Sequence, residues 1–225
     1  MDDLHARRTA AAATTLGISN DAIHEAVLRA IPRLPAPGDL LDFGAGSGGL
    51  LRRVDGSQPF RSLCGVDIMP RPAGLPEYIA WTAGDLNEPA PYPGESFDII
   101  VSSEVIEHLE NPRATLREWA RLLRRGGFAV FSTPNNESVR SLLRLCFLGH
   151  FAAFGDLSYP AHITALLRKD IERACAEAGF EMRGFTFSHL GGLPFSRRIT
   201  WQNLSFGLLG GLRFSDNIVA AARKR

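Results

Sequence analysis

Cysteine is scarce: Cys64, Cys146 and Cys175 are the only three in 225 residues. Their odd number and wide spacing fit neither a disulfide framework nor a zinc knuckle. Buried or half-buried free thiols in a reducing, cytoplasmic setting are expected instead. Charge of one sign is also lacking, since 25 Lys and Arg against 24 Asp and Glu leave a formal net charge of +1. Chains that grip nucleic acid carry a basic excess, so a nucleic-acid partner is not expected. No apolar run is long enough to span a bilayer. Residues 142–154 and 204–214 come nearest, but both are short and broken by Arg or His. Met1-Asp2-Asp3-Leu4-His5 is polar and acidic with no apolar stretch after it, so no secretion signal is expected.

What is present is a globular composition, 45% apolar, in a length that suits one domain. Ser19-Asn20-Asp21 reads as a helix start, with Ile23, Val27, Leu28 and Ile31 at helical spacing and Pro32 as the stop. Pro35-Ala36-Pro37-Gly38 is a linker, so residues 1–38 form an N-terminal helical extension and 39–225 the main domain. Strands are expected at 40–43, 62–67, 78–81, 97–102 and 128–132, with a helix beginning near Gly49. Asn111-Pro112 opens another helix, Asn as N-cap and Pro at N1, with Leu116, Trp119, Leu122 and Leu123 inward and Gly126-Gly127 at its end. Helices at 138–147 and 169–177 precede two late strands at 180–187 and 217–222, with a helix possible between those strands. Strands alternating with helices imply an α/β fold with a mainly parallel sheet, closed by an antiparallel hairpin at its edge.

Leu40-Leu41-Asp42-Phe43-Gly44-Ala45-Gly46-Ser47-Gly48-Gly49 lies where an apolar strand turns into a helix. Glycines there let the backbone turn tightly and approach a ligand, and the helix N-terminus adds free N–H groups. A glycine loop alone is also compatible with a plain turn. Asp67 ends the second strand about 20 residues on, the usual place for a carboxylate that meets ribose hydroxyls. Gly84-Asp85-Leu86 follows the third strand, and residues 97–101 lead into Ser102-Ser103-Glu104.

Together these residues resemble the class I methyltransferases that use S-adenosylmethionine (SAM). Asp42-x-Gly44-x-Gly46-x-Gly48 is similar to their first motif and differs from the Gly-x-Gly-x-x-Gly of a dehydrogenase loop. The resemblance runs from about Asp39 to Ala222. It implies a Rossmann-like, doubly wound, seven-stranded sheet. It also implies that Asp42, Gly44, Ala45, Gly46 and Gly48 surround the methionine part of SAM, Asp67 the ribose, and Asp85 with Leu86 the adenine. Ile68 and Ser102 are further candidate cofactor contacts.

In Glu104-Val105-Ile106-Glu107-His108-Leu109, a helix would put Glu104, Glu107 and His108 on one face. Such a group is costly unless paired, protonated or bound to a cation, and its donors suit Mg²⁺ or Mn²⁺. The run resembles ubiquinone-biosynthesis O-methyltransferases and is similar to small-RNA 3′-end ribose O-methyltransferases. That resemblance implies a divalent metal on Glu104, Glu107, His108 and a later histidine, here His162, matched by order and approximate position. Without a metal, Glu107 or His108 is the candidate general base. The plainer alternative is that His108 bonds a backbone carbonyl and Glu104 only contacts the SAM amino group.

The expected activity is O-methylation of a small or lipid-linked acceptor, a quinone precursor or a sugar. RNA ribose 2′-O-methylation, N- or C-methylation, and a non-catalytic SAM-binding subunit are the alternatives. Acceptor-side insertions are expected near 138–165 and 190–214, with Ser132-Thr133-Pro134-Asn135-Asn136 at the acceptor mouth. The apolar 138–154 stretch reads as a cover helix, or else as a lid or a peripheral membrane-surface contact. Arg124-Arg125, Arg197-Arg198 and Arg223-Lys224-Arg225 read as solvated surface.

Overall fold

The computed structural model describes residues 20–194 and 199–225. The first half of the N-terminal extension, residues 1–19, and the Arg197-Arg198 pair lie outside the described residues. Helix α1 (Asp21–Ala30) starts where the Asn20 side chain accepts from the Ala22 N–H at 2.9 Å, and it ends at Ile31, just before Pro32.

Seven strands follow: β1 (Asp39–Phe43), β2 (Ser62–Asp67), β3 (Ala80–Ala83), β4 (Phe97–Ser103), β5 (Leu123–Pro134), β6 (Phe180–Phe187) and β7 (Asn217–Lys224). They form one sheet in the order β3-β2-β1-β4-β5-β7-β6. The first five run parallel, and β7 is antiparallel to both β5 and β6. This is the Rossmann-like, doubly wound arrangement with its antiparallel C-terminal pair. Helices α2 (Gly49–Asp55), α3 (Pro112–Leu122), α4 (Val139–Leu148), α5 (Arg168–Glu177) and α6 (Trp201–Leu204) connect or cover the strands. Among the described residues, no helix is long and apolar enough to cross a membrane.

β1 is buried along its whole length because both faces of the sheet are covered, so Asp39 and Asp42 are buried along with Leu40, Leu41 and Phe43. Successive side chains leave on opposite faces. Leu41 packs with Phe43, Ile100, Trp119 and Phe131 on one side, and Leu40 with Val27, Leu51, Ile99 and Val101 on the other.

Four expectations need correction. β3 begins two residues later than its apolar pattern suggests, because the Ile79 N–H bonds the Pro76 carbonyl in a turn and Tyr78 points outward to Asp55. Gly126-Gly127 do not end a helix. The chain passes from α3 straight into β5, and the two glycines lie inside that strand beside a register shift between Phe97 and Ile99. Gly126 takes a positive φ of 79°, and a side chain on Gly127 would meet the Asp98 carbonyl, so this bulge needs both glycines. Cys146 is exposed rather than buried.

Arg124 is likewise not simple solvated surface. Its Nη1 lies 2.7 Å from Asp98 Oδ2 and 2.9 Å from Asp39 Oδ2. Arg61 also pairs with Asp39, and Ser62 Oγ donates to it at 2.8 Å. This network joins the amino ends of β1, β2, β4 and β5. Hydrogen bonding from Arg61, with smaller contributions from Ser62 and Arg124, lowers the Asp39 carboxyl to about 2 against its own partial burial. Because that value lies below the ordinary 3.8, the stabilisation is complete above pH 3.8 and lost as pH falls toward 2. Asp39→Asn is expected to cost about 1–2 kcal/mol at pH 7, discounted for the exposure of Arg61. The difference from wild type should shrink between pH 4 and 2 in urea titrations.

Candidate active site

The carboxyl ends of the parallel strands carry the first half of the site. After β1 the chain turns through Gly44, Gly46 and Gly48, whose φ angles are 84°, 50° and 73°. The N–H groups of Gly44 and Ala45 donate to the Val66 carbonyl at 2.8 and 3.2 Å. Asp67 holds the turn from β2. Its Oδ2 accepts from the Gly46 N–H at 2.8 Å and its Oδ1 from the Met69 N–H at 2.9 Å. Burial nonetheless raises the Asp67 carboxyl, outweighing these bonds.

Asp42 is fully buried, and neither of its carboxylate oxygens has a hydrogen-bond partner. Burial first, and then the charge of Asp67, push it well above the ordinary carboxylate range. An unpaired buried acid is costly and favours a cationic or hydrogen-donating neighbour. Ile68 is half-buried beside the turn. Asp85 follows β3 in a local turn, with its Oδ1 accepting from the Asn87 N–H and Nδ2, each at 2.9 Å, while Leu86 is half-buried against the core. The Ser102 hydroxyl donates to the Phe43 carbonyl at 2.7 Å, so it is committed to strutting β4 against β1.

The Glu104–Leu109 run does not form an α-helix. Glu104 sits at φ 56°, and only a 3₁₀ turn, Ile106–His108, forms after it. Glu104 is held in that conformation by β5 and β7. Its N–H donates to Ser132 Oγ at 3.0 Å, that hydroxyl donates back to Oε1 at 3.0 Å, and Asn217 Nδ2 donates to Oε2 at 2.7 Å. The expected common helix face is therefore replaced by a split in which the Glu104 carboxylate turns toward β5 and β7.

Glu107, His108 and His162 do come together: one ligand atom from each lies within 4.8 Å of the others, and Glu104 is not in the group. Backbone bonds bring His162 there. The Glu107 carbonyl accepts from the Ile163 and Thr164 N–H groups, each at 3.0 Å, and the Thr164 hydroxyl donates to the Leu109 carbonyl at 3.0 Å. His108 Nδ1 lies 2.7 Å from the Ala161 carbonyl. A carbonyl only accepts, so Nδ1 carries the proton and Nε2 keeps its lone pair. The rings of His108 and His162 meet edge to face with centroids 4.7 Å apart.

His162 Nδ1 and both carboxylate oxygens of Glu107 are buried without hydrogen-bond partners. Burial raises Glu107 to about 8, only partly offset by its own backbone and the nearby Thr133 hydroxyl. Burial also lowers His108, and it lowers His162 to about 4 with help from His108. Near neutral pH the group alone therefore tends to be a protonated acid beside two neutral imidazoles. One carboxylate and two imidazoles with unmet lone pairs fit a divalent transition-type cation such as Mn²⁺. Without the oxygens of Glu104 they fit the oxygen-preferring Mg²⁺ less well.

Sequence reasoning missed two contributors. His24 of α1 is buried against the glycine turn, with its Cε1 3.2 Å from where a Cβ on Gly49 would lie. Asn217, the anchor of Glu104, is 113 residues away in the chain and carries no local signal.

The family described as a methyltransferase domain matches residues 16–183. The malonyl-[acyl-carrier protein] O-methyltransferase of Hahella chejuensis is 32% identical over 124 residues, covering 51% of this chain and 43% of that protein. The ubiquinone biosynthesis O-methyltransferase of Thiobacillus denitrificans is 25% identical over 171 residues, covering 70% and 72%. The chain thus spans about half the length of the first of these relatives. The crystal structure of a SAM-dependent methyltransferase from Archaeoglobus fulgidus superposes with a TM-score of 0.63 at 19% identity, covering 93% of this chain and 96% of that one. At that identity the likeness establishes the fold.

Two outcomes are expected. A Cβ on Gly44 would lie 2.3 Å from Val105 Cγ2 in a left-handed backbone, whereas one on Gly84 would meet nothing within 4 Å. Gly44→Ala should therefore destabilise the protein by about 1–3 kcal/mol and Gly84→Ala by no more than ~0.5 in urea unfolding. The His162 value of about 4 lies below the ordinary 6.5, so the fold favours its neutral ring. That contribution is complete above pH 6.5 and lost as pH falls toward 4. His162→Gln should flatten the decline in thermal midpoint across that window, and an unchanged slope would refute the assignment.

Proposed function

The chain belongs to the methyltransferase-domain family and is a SAM-dependent methyltransferase, and from that premise we propose that it methylates a hydroxyl oxygen of a small or lipid-linked acceptor with the help of a divalent cation held by Glu107, His108 and His162. The observation that carries this reading is the convergence of those three side chains, two of them with orphaned ligand atoms, beside the strand ends that hold the glycine turn.

SAM supplies a sulfonium methyl group, whose carbon bonds the acceptor oxygen in line as the C–S bond breaks and S-adenosylhomocysteine leaves with the electron pair. Most of the protein's contribution is then orientation. The glycine turn lets a ligand approach the backbone, the unpartnered Asp42 favours a positively charged neighbour, and Asp67 and Asp85 are the candidates for ribose and adenine. A neutral hydroxyl is a poor nucleophile, and a bound cation lowers its pKa. With Nδ1 fixed by Ala161, His108 would offer Nε2 to that cation, and where no cation binds the same lone pair would take the departing proton. Glu107, raised to about 8 by burial, would be drawn to its ionised form by a bound cation.

Helix α4 supports an apolar part on the acceptor. Its first turn carries Arg140 and Ser141 on the wall of a cavity that also includes His162. Its last turn exposes Phe147 and Leu148, and Leu157, Phe206 and Leu208 on the neighbouring insertions are 88–95% exposed. This arrangement suits a lipid-linked acceptor presented at a membrane surface, with its polar end inward.

The test is thermal unfolding with S-adenosylhomocysteine, with and without MnCl₂ or MgCl₂, on wild type and Glu107→Gln. Product at about 100 times its Kd should raise the midpoint by roughly 5–10 °C. Mn²⁺ should add a further shift that Glu107→Gln loses. A product shift with no metal shift would leave His108 as general base without a cation. No product shift in either protein would overturn the donor site.

A further inference from the structure

Beside the three-residue cluster lies a cavity of about 220 Å³ that shares His162 with it and also contacts Glu104. Its apolar lining is limited to Pro134, Ala152 and Ala153. The other lining residues are polar, and no Phe, Tyr or Trp belongs to the wall among the described residues. A flat phenolic ring is ordinarily held against large aromatic side chains, and no Phe, Tyr or Trp of this wall is there to take one.

The wall is also close to electrically neutral. Arg140 Nη1 pairs with Asp216 Oδ2 at 2.8 Å, and that oxygen accepts from the Gly192 N–H at 2.9 Å. The one arginine of the lining is thus already balanced, and no second Lys or Arg among the lining residues is left to hold a phosphate or carboxylate. Glu104 already has both carboxylate oxygens engaged, Oε1 by the Ser132 hydroxyl and Oε2 by Asn217 Nδ2.

Hydrogen-bonding capacity remains. Asn136 is buried, and its Nδ2 donates to the Leu166 carbonyl at 3.0 Å, which orients the amide and leaves Oδ1 without a partner. Arg140 Nε is a buried donor without a partner. Ser141 Oγ accepts from the Ala152 N–H at 3.0 Å, which leaves its own hydrogen available. A hydroxyl group both donates and accepts, so neighbouring hydroxyls on one ring match such a mixed set, whereas a carboxylate or an aryl face does not.

We propose that this cavity receives a neutral, polyhydroxylated head group, a sugar or cyclitol ring, and presents one of its hydroxyls to the Glu107, His108 and His162 cluster. The proposal rests on the O-methyltransferase reading and narrows it, selecting the sugar over the quinone precursor. Buried polar atoms such as Asn136 Oδ1 and Arg140 Nε disfavour ligands that leave them unpaired, which discriminates far more strongly than apolar contact can.

The experiment compares methyl α-D-glucopyranoside and myo-inositol with 3,4-dihydroxybenzoate and glucose 1-phosphate. It reads thermal shift with and without S-adenosylhomocysteine, and transfer of radiolabelled methyl from SAM in the presence of Mn²⁺. The neutral polyols should raise the midpoint and accept methyl on oxygen with a kcat/KM at least tenfold above the other two compounds. Asn136→Leu should lower polyol kcat/KM tenfold or more while the S-adenosylhomocysteine shift persists. Ser141→Ala, a smaller change, should raise polyol KM several-fold with kcat nearly unchanged. Preference for the dihydroxybenzoate or the sugar phosphate, or no response to any compound while S-adenosylhomocysteine still stabilises, would overturn the proposal. If S-adenosylhomocysteine has no effect but the polyols still shift the midpoint, the cavity assignment stands and the donor-site reading falls. Methyl found on a ring carbon of the dihydroxybenzoate instead would overturn both.

Discussion

Side-by-side parallel pairing of β1 and β4 is the constraint on which the site depends. Leu40, Leu41 and Asp42 lie opposite Ile99, Ile100 and Val101. The sheet reverses its winding between these strands, so the loops that leave their carboxyl ends diverge to opposite faces and open a crevice. The same pairing presses Gly44 against Val105, so the glycine turn and the acceptor run form one wall. A slip of β1 by one residue would reverse the facing of every side chain in it, including Asp42.

Three carboxyl groups, those of Asp42, Glu104 and Glu107, are withdrawn from water around this crevice, and each is pushed upward chiefly by burial. They meet that cost differently. Glu104 is fully hydrogen-bonded by Ser132 and Asn217, whereas Asp42 and Glu107 have no partner. Glu104 thus acts as a fixed joint between β4, β5 and β7, and the other two carry unmet polar demand on either side of it. A cationic donor on one side and a divalent ion on the other would satisfy that demand.

Much of the architecture is legible from local pattern. The Ser62–Asp67 and Phe180–Phe187 strands and the Asn111-Pro112 helix start follow from apolar runs, capping chemistry and glycine stops that act within a few residues. Misreadings occur where a distant contact overrides local preference. Gly126-Gly127 is a good helix stop in isolation, but the Asp98 backbone of β4 draws it into a bulged strand. Arg124 looks like surface charge until β1 and β4 place Asp39 and Asp98 beside it.

The residue types of the site, their order and their attachment to strand ends were set by the sequence alone, because strand periodicity, glycine backbone freedom and helix capping are short-range properties. Which of those residues act together was decided only by the tertiary structure. The Ser132 and Asn217 bonds hold Glu104 in a left-handed backbone and break the helix that would have aligned it with Glu107 and His108. The two N–H groups of Ile163 and Thr164 on the Glu107 carbonyl put His162 in its place. These are hydrogen bonds between residues 28 to 113 apart, and such pairings exist only once the sheet has closed around them.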